Sequence, residues 1–90
     1  MFRKTNNMTR QEIIQQTNRF LTSELDIDEQ LTADPDTELK RDIGISSVDA
    51  VAIMTFAQKT FDCTITLPAI KAIITLSDLY DYIEKTTSKQ

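Results

Sequence analysis

"RDIGISSVDAVAIM", residues 41–54, places two adjacent serines between the only glycine of the chain and a long apolar run. A serine in that position, with a carboxylate three residues on, has the form of a capping box. The serine oxygen accepts from a free backbone N–H of the first helical turn, and the carboxylate accepts from the backbone N–H of the cap. Ser46 and Asp49 have this spacing, which predicts a helix from Ser47 to about Phe61. Along it, Ala50, Ile53, Met54, Ala57 and Phe61 recur at the interval of a core-facing stripe. Val48, Val51, Ala52 and Phe56 lie off that stripe. A helix so apolar around its circumference is either buried on several sides or presents a docking face. Val48, Val51 and Ala52 sit in its first turns, so any such face adjoins the serine pair.

Two more capping boxes flank this segment, Thr9-x-x-Glu12 and Thr75-x-x-Asp78. After Thr9 the apolar residues Ile13, Ile14, Phe20 and Leu21 keep helical spacing, Met8 and Ile13 fit a hydrophobic staple, and the helix is expected to run to about Leu25. After Thr75, a stripe of Leu76, Leu79, Tyr80 and Ile83 predicts a last helix ending near Lys85, since the polar "EKTTSKQ" beyond it has nothing to bury. Between the first two helices, "DIDEQLTADPDTELKRDIGI" carries Pro35, many Asp and Thr residues and no strand-like alternation. We read it as a long loop pinned by Leu31, Leu39 and Ile43. In residues 62–74, "DCTITLPAIKAII", the Thr and Ile alternation resembles a strand, but no second strand is present to pair with it. A connection followed by a short helix beginning near Pro68 fits better, because proline suits a first helical turn.

Composition limits what such a chain does. Ninety residues, 40% hydrophobic and 27% charged, suit one domain spanning 1–90, with residues 1–8 and 86–90 as flexible ends. A chain of this size buries only about 60–65% of its unfolded surface, so a deep enclosed active site is not expected. With no histidine and a single cysteine, Cys63, there is no ligand set for zinc and no internal disulfide, and Cys63 reads as an ordinary apolar position. The formal charge of −4, without a basic cluster, argues against nucleic acid as a partner. Eight acids between Glu24 and Asp42 face only Lys40 and Arg41, the pattern of a solvated loop. No segment approaches the roughly 18 uninterrupted apolar residues of a membrane span, and no apolar stretch follows the basic N-terminus, so a cytoplasmic protein is expected.

The half of the chain from Asp42 to Ile83 resembles the acyl carrier proteins, whose signature is Asp-Leu-Gly-x-Asp-Ser-Leu followed by an apolar helix, a short third helix and a closing Asp-Tyr-Ile. Asp42-Ile43-Gly44, Ser47-Val48-Asp49, Phe61-Asp62 and Asp81-Tyr82-Ile83 carry the resemblance without a gap. Residues 1–38 match only in pattern, with one amphipathic helix and one long loop. The resemblance implies an all-α four-helix bundle with three main helices, one short third helix and a long loop between helices one and two. It also implies that a phosphopantetheinyl transferase esterifies Ser47 with 4′-phosphopantetheine from coenzyme A, and that the arm's thiol holds acyl groups as thioesters. A phosphate is well tolerated at a helix N-terminus, where free N–H groups and the positive end of the helix dipole lie.

One departure assigns the two serines different roles. Where the family usually has Asp before the modified serine, this chain has Ser46, and Ser and Asp are comparable N-caps. Ser46 therefore takes the structural role and Ser47 the chemical one. The resemblance further implies a carrier rather than an enzyme, since catalysis comes from transferase, loading and ketosynthase-type partners; a catalytic Ser47 would have only Asp49 nearby as a base. Typical fatty-acid-synthesis carriers have glutamates along this helix and into the third, where this chain has Ala52, Gln58, Lys59, Thr60, Ala69 and Lys71. The expectation is thus a monomeric, specialised carrier in fatty acid, polyketide or related lipid biosynthesis that meets a few dedicated enzymes through Val48, Val51 and Ala52. An aminoacyl or peptidyl carrier, and an unmodified interaction module of the same fold, stay open as alternatives.

Overall fold

The computed structural model describes residues 9–87; the expected Met8 staple, the expected flexible end at 1–8 and residues 88–90 of the one expected at 86–90 lie outside them, while Thr86 and Thr87 belong to the last helix. Five α-helices and one π-helical turn follow each other: α1 Arg10–Glu24, α2 Glu29–Thr32, the π-turn Leu39–Ile43, α3 Ser47–Phe61, α4 Leu67–Ala72 and α5 Leu76–Thr87. Among the described residues there is no strand, only an isolated bridge between Glu38 and Thr75. The architecture is the expected all-α bundle, with α1, α3 and α5 as main helices and α4 as the short one.

All three capping boxes form. Thr9 Oγ1 accepts from Glu12 N at 3.1 Å while Glu12 Oε1 accepts from Thr9 N at 3.1 Å, and Thr75 and Asp78 exchange the same pair of bonds at 3.1 Å each. In α1 the buried stripe is Ile13, Thr17 and Leu21, with Ile14 and Phe20 half-buried beside it. Thr17 occupies the middle of that stripe and its Oγ1 has no partner, so it packs there through its methyl group. In α5, Leu76, Leu79, Tyr80 and Ile83 are all buried as the spacing requires. This helix runs on to Thr87 rather than stopping near Lys85. Thr87 is one helical step beyond Ile83, is itself buried, and donates its hydroxyl to the Ile83 carbonyl at 2.9 Å. A threonine that bonds back into its own helix presents only a methyl to the core.

The ends of three elements share one device. Asp26, Gly44 and Asp62 adopt left-handed conformations, with φ of 59°, 77° and 55°. In each case the next residue's N–H reaches back inside: Ile27 to Leu21, Ile45 to Leu39 and Cys63 to Ala57. Asp visits this region at modest cost, and glycine does so freely.

The loop between α1 and α3 is more ordered than an acid-rich stretch suggests. Asp28 Oδ1 accepts from Gln30 N at 2.8 Å and starts α2, and Glu38 N donates to Asp42 Oδ2 at 2.8 Å across the π-turn. Leu39 is fully buried, whereas Leu31 and Ile43 are half-buried; Thr32 and Thr37 are buried as well. Thr37 satisfies its hydroxyl by donating to the Leu31 carbonyl at 2.6 Å. Main-chain bonds then fasten the loop to the entry of α5: Leu39 N to Ile74 O at 2.9 Å, Leu76 N to Thr37 O at 3.0 Å and Ser77 N to Pro35 O at 2.9 Å.

On α3, Ile53, Ala57 and Phe61 are buried, while Ala50 and Met54 are half-buried at the margin. Phe56, off the stripe, stacks on Phe20 of α1 with centroids 4.4 Å apart and meets Phe61 edge-on at 5.4 Å. The Thr and Ile alternation after α3 is an extended connection with Cys63 and Ile65 turned inward and Thr64 and Thr66 outward. Thr66 Oγ1 then caps α4 by accepting from Ala69 N, with Pro68 in the first turn.

Candidate functional site

The site is built from the π-turn onward. Gly44 ends that turn at φ 77°, and an added Cβ there would meet nothing within 4 Å, so glycine serves the backbone angle and not a close approach. Ile45 and Ser46 then run extended into α3. Ser46 Oγ accepts from Asp49 N at 3.2 Å, and Asp49 Oδ2 accepts from Ser46 N at 3.0 Å. Ser46 is thereby committed to the helix start.

Ser47 is the first residue of α3. It is exposed, and among the described residues its hydroxyl has no hydrogen-bond partner. With the Asp49 carboxylate held by the cap and no histidine in the chain, Ser47 has no histidine base to activate it. The hydroxyl is open to an approaching molecule.

An open groove of about 430 Å3 lies beside Ser47, between the π-turn, the start of α3 and α4. Its apolar lining is Ile45, Ala50, Val51, Leu67 and Ile70, and Lys40 and Lys71 stand among these with Ser46 and Ser47. Val48 and Val51 are 77% and 55% exposed, and Leu67 and Ile74 are 51% and 56% exposed. Large apolar side chains so open to water are unusual enough to mark a contact surface when they cluster. Of the three residues expected on a docking face, Val51 joins Ser47 in the groove and Val48 follows Ser47 directly. Ala52 is half-buried and turns to a hollow shared with Phe20 and Phe56.

The groove residues Ile45, Leu67, Ile70 and both lysines were not singled out as site residues from sequence. Leu67 could have been: a Thr66 cap before Pro68 puts it at an exposed first helical position, as Ser46 does for Ser47. Lys40 gave no such signal, because its placement depends on the fold of the π-turn. Cys63 is fully buried, and burial pushes its thiol up from the ordinary range, which makes it unreactive. Among the described residues no group of three or more His, Cys, Asp or Glu side chains could hold a metal ion. Nor is any helix there long and apolar enough to cross a membrane.

Comparison with known proteins points the same way as the geometry. The family described as "Phosphopantetheine attachment site" matches residues 19–83, a span that includes α3, α4 and the groove. An acyl carrier protein of Aster yellows witches'-broom phytoplasma (strain AYWB) is 38% identical over 53 residues, covering 59% of this chain and 70% of that protein. By the match to this 4′-phosphopantetheine attachment-site family and to that carrier, the chain belongs to the acyl carrier protein family.

Proposed function

We propose that Ser47 carries the 4′-phosphopantetheine arm and that the protein is a specialised carrier of acyl intermediates in fatty acid, polyketide or related lipid biosynthesis. The observation that carries this reading is the division of labour at the head of α3: Ser46 is consumed by the capping box, and Ser47 beside it is exposed and unpartnered. The residues present fit the group. The hydroxyl is accessible, the helix N-terminus favours an added phosphate, and a groove adjoins the attachment point. When bound, the arm supplies a thiol that holds acyl groups as thioesters. The protein's own residues anchor it at Ser47 and present it, and transferase and acyl-processing enzymes supply the catalysis.

Partner choice rests on the surface around Ser47. From Ser47 to Leu76 the acids Asp49 and Asp62 are balanced by Lys59 and Lys71, and Val48 and Val51 are exposed between them. Such a face favours a few dedicated enzymes met through apolar contact over many enzymes steered by charge. Acting as a monomer in the cytoplasm suits this role.

The test is incubation with coenzyme A and a phosphopantetheinyl transferase, followed by intact mass. The wild-type and Ser46→Ala proteins should gain one phosphopantetheine and Ser47→Ala none. A gain on Ser47→Ala would refute the assignment.

A further inference from the structure

Lys40 and Lys71 both line the groove beside Ser47, one from the π-turn and one from α4. Neither is ion-paired among the described residues, whereas Arg41, next to Lys40, is taken up by Glu38 at 3.2 Å and Asp42 at 3.4 Å. Two uncompensated ammonium groups in one groove stand out in a chain of net charge −4. The carboxylate closest in sequence to Ser47, Asp49, is turned to the Ser46 N–H. The groove's lining is therefore apolar with two cationic side chains, the combination that binds an amphiphilic anion.

We infer that this groove is a docking site for the proximal part of the arm itself, with Lys40 and Lys71 holding its phosphodiester and Val51, Leu67 and Ile70 taking the gem-dimethyl portion next to it. This rests on Ser47 carrying the arm. The argument is one of connectivity. Ser47 lines the groove, so the first atoms of any substituent on its oxygen lie at that groove, and those atoms are the phosphate followed by the branched carbon. The arm thus brings an anion and then a branched apolar portion to a lining that offers both kinds of contact. The distal amides and thiol lie beyond the groove, free to reach partner enzymes. Salt weakens this docking by screening the lysines.

The experiment uses the full chain converted to its holo form, with intact mass checked for every sample and 31P NMR as the readout. In the wild-type protein the phosphodiester resonance should be displaced from its position in urea-unfolded holo protein, and rising sodium chloride should move it back. In Lys40→Gln/Lys71→Gln it should sit near the unfolded position at every salt concentration, with Lys40→Arg/Lys71→Arg restoring the displacement and Lys59→Gln, away from the groove, leaving it unchanged. Correct mass with a salt-independent resonance in the wild type, or an unaltered resonance in the double Gln variant, overturns the docking while leaving Ser47 as the attachment point. A salt response seen only after loading a chain with a free terminal carboxylate overturns it in favour of the cargo as the anion. Absence of the mass gain removes the reading of Ser47, and the docking with it.

Discussion

Ser46 and Asp49 close on each other through two reciprocal hydrogen bonds, 3.2 Å from Asp49 N to Ser46 Oγ and 3.0 Å from Ser46 N to Asp49 Oδ2. This pair fixes where α3 begins and leaves Ser47 outside the network. Replacing Ser46 by Ala should lower stability by about 0.5–2 kcal/mol, the usual cost of losing a helix cap. Ser47→Ala removes no bond and should stay within about 0.5 kcal/mol of the wild type. Urea denaturation of the apo proteins measures both; equal losses in the two variants would contradict the division of roles.

Acid should unfold the protein partly through Asp78. Its carboxylate accepts from Thr75 N and Ile74 N, and those backbone bonds, Thr75's the larger, hold its pKa below the ordinary value. Because the folded value is depressed, the stabilisation is present above the ordinary aspartate value of about 3.9 and is lost as pH falls below it through the lowered one. Asp42, lowered chiefly by the Glu38 N–H, acts in the same window and direction. Thermal midpoints followed from neutral pH to strong acid should fall less steeply for Asp78→Asn than for the wild type.

Thiol counting separates apo from holo protein. Cys63 is fully buried and its thiol is pushed up by that burial, so folded apo protein should react with Ellman's reagent only as fast as it unfolds. Holo protein should show one fast thiol, that of the arm. A fast-reacting Cys63 in the folded apo chain would contradict the packing of the connection after α3.

Val48 and Val51 are large apolar side chains spent on solvent, so charging them should leave the fold intact and harm recognition. Val48→Asp and Val51→Asp should keep the apo thermal midpoint within a few degrees while slowing turnover of the holo protein by acyl-processing enzymes several-fold, the effect of losing about 1 kcal/mol or more at a contact residue. Turnover of the wild type should depend weakly on ionic strength. Strong salt sensitivity would instead indicate charge steering and a broader set of partners.

Capping chemistry made the helix starts legible, because a side chain and a carboxylate three residues apart are visible in one dimension. Thr9, Ser46 and Thr75 all cap as read, and the buried stripe of α5 follows directly from its spacing. Threonines were the blind spot. Thr17, Thr32, Thr37 and Thr87 are buried because their hydroxyls can be satisfied locally, or left unpaired in the case of Thr17, while the methyl packs. The loop hid α2 and the π-turn for a related reason: its acids look like solvated charge but three of them, Asp28, Asp34 and Asp42, are spent on backbone N–H groups. The capping role of Ser46 was legible from its spacing to Asp49, and the structure leaves Ser47 exposed beside it. The groove around it was not, since Lys40, Val51 and Leu67 come together only through tertiary folding.

The main-chain bonds between Leu39 and Ile74 and between Thr37 and Leu76 join the segment that carries Lys40 to the junction that follows α4. The two walls of the groove are thus stitched together along one side by contacts that involve no side chain. Substitutions of the side chains along the groove therefore leave this main-chain spine in place.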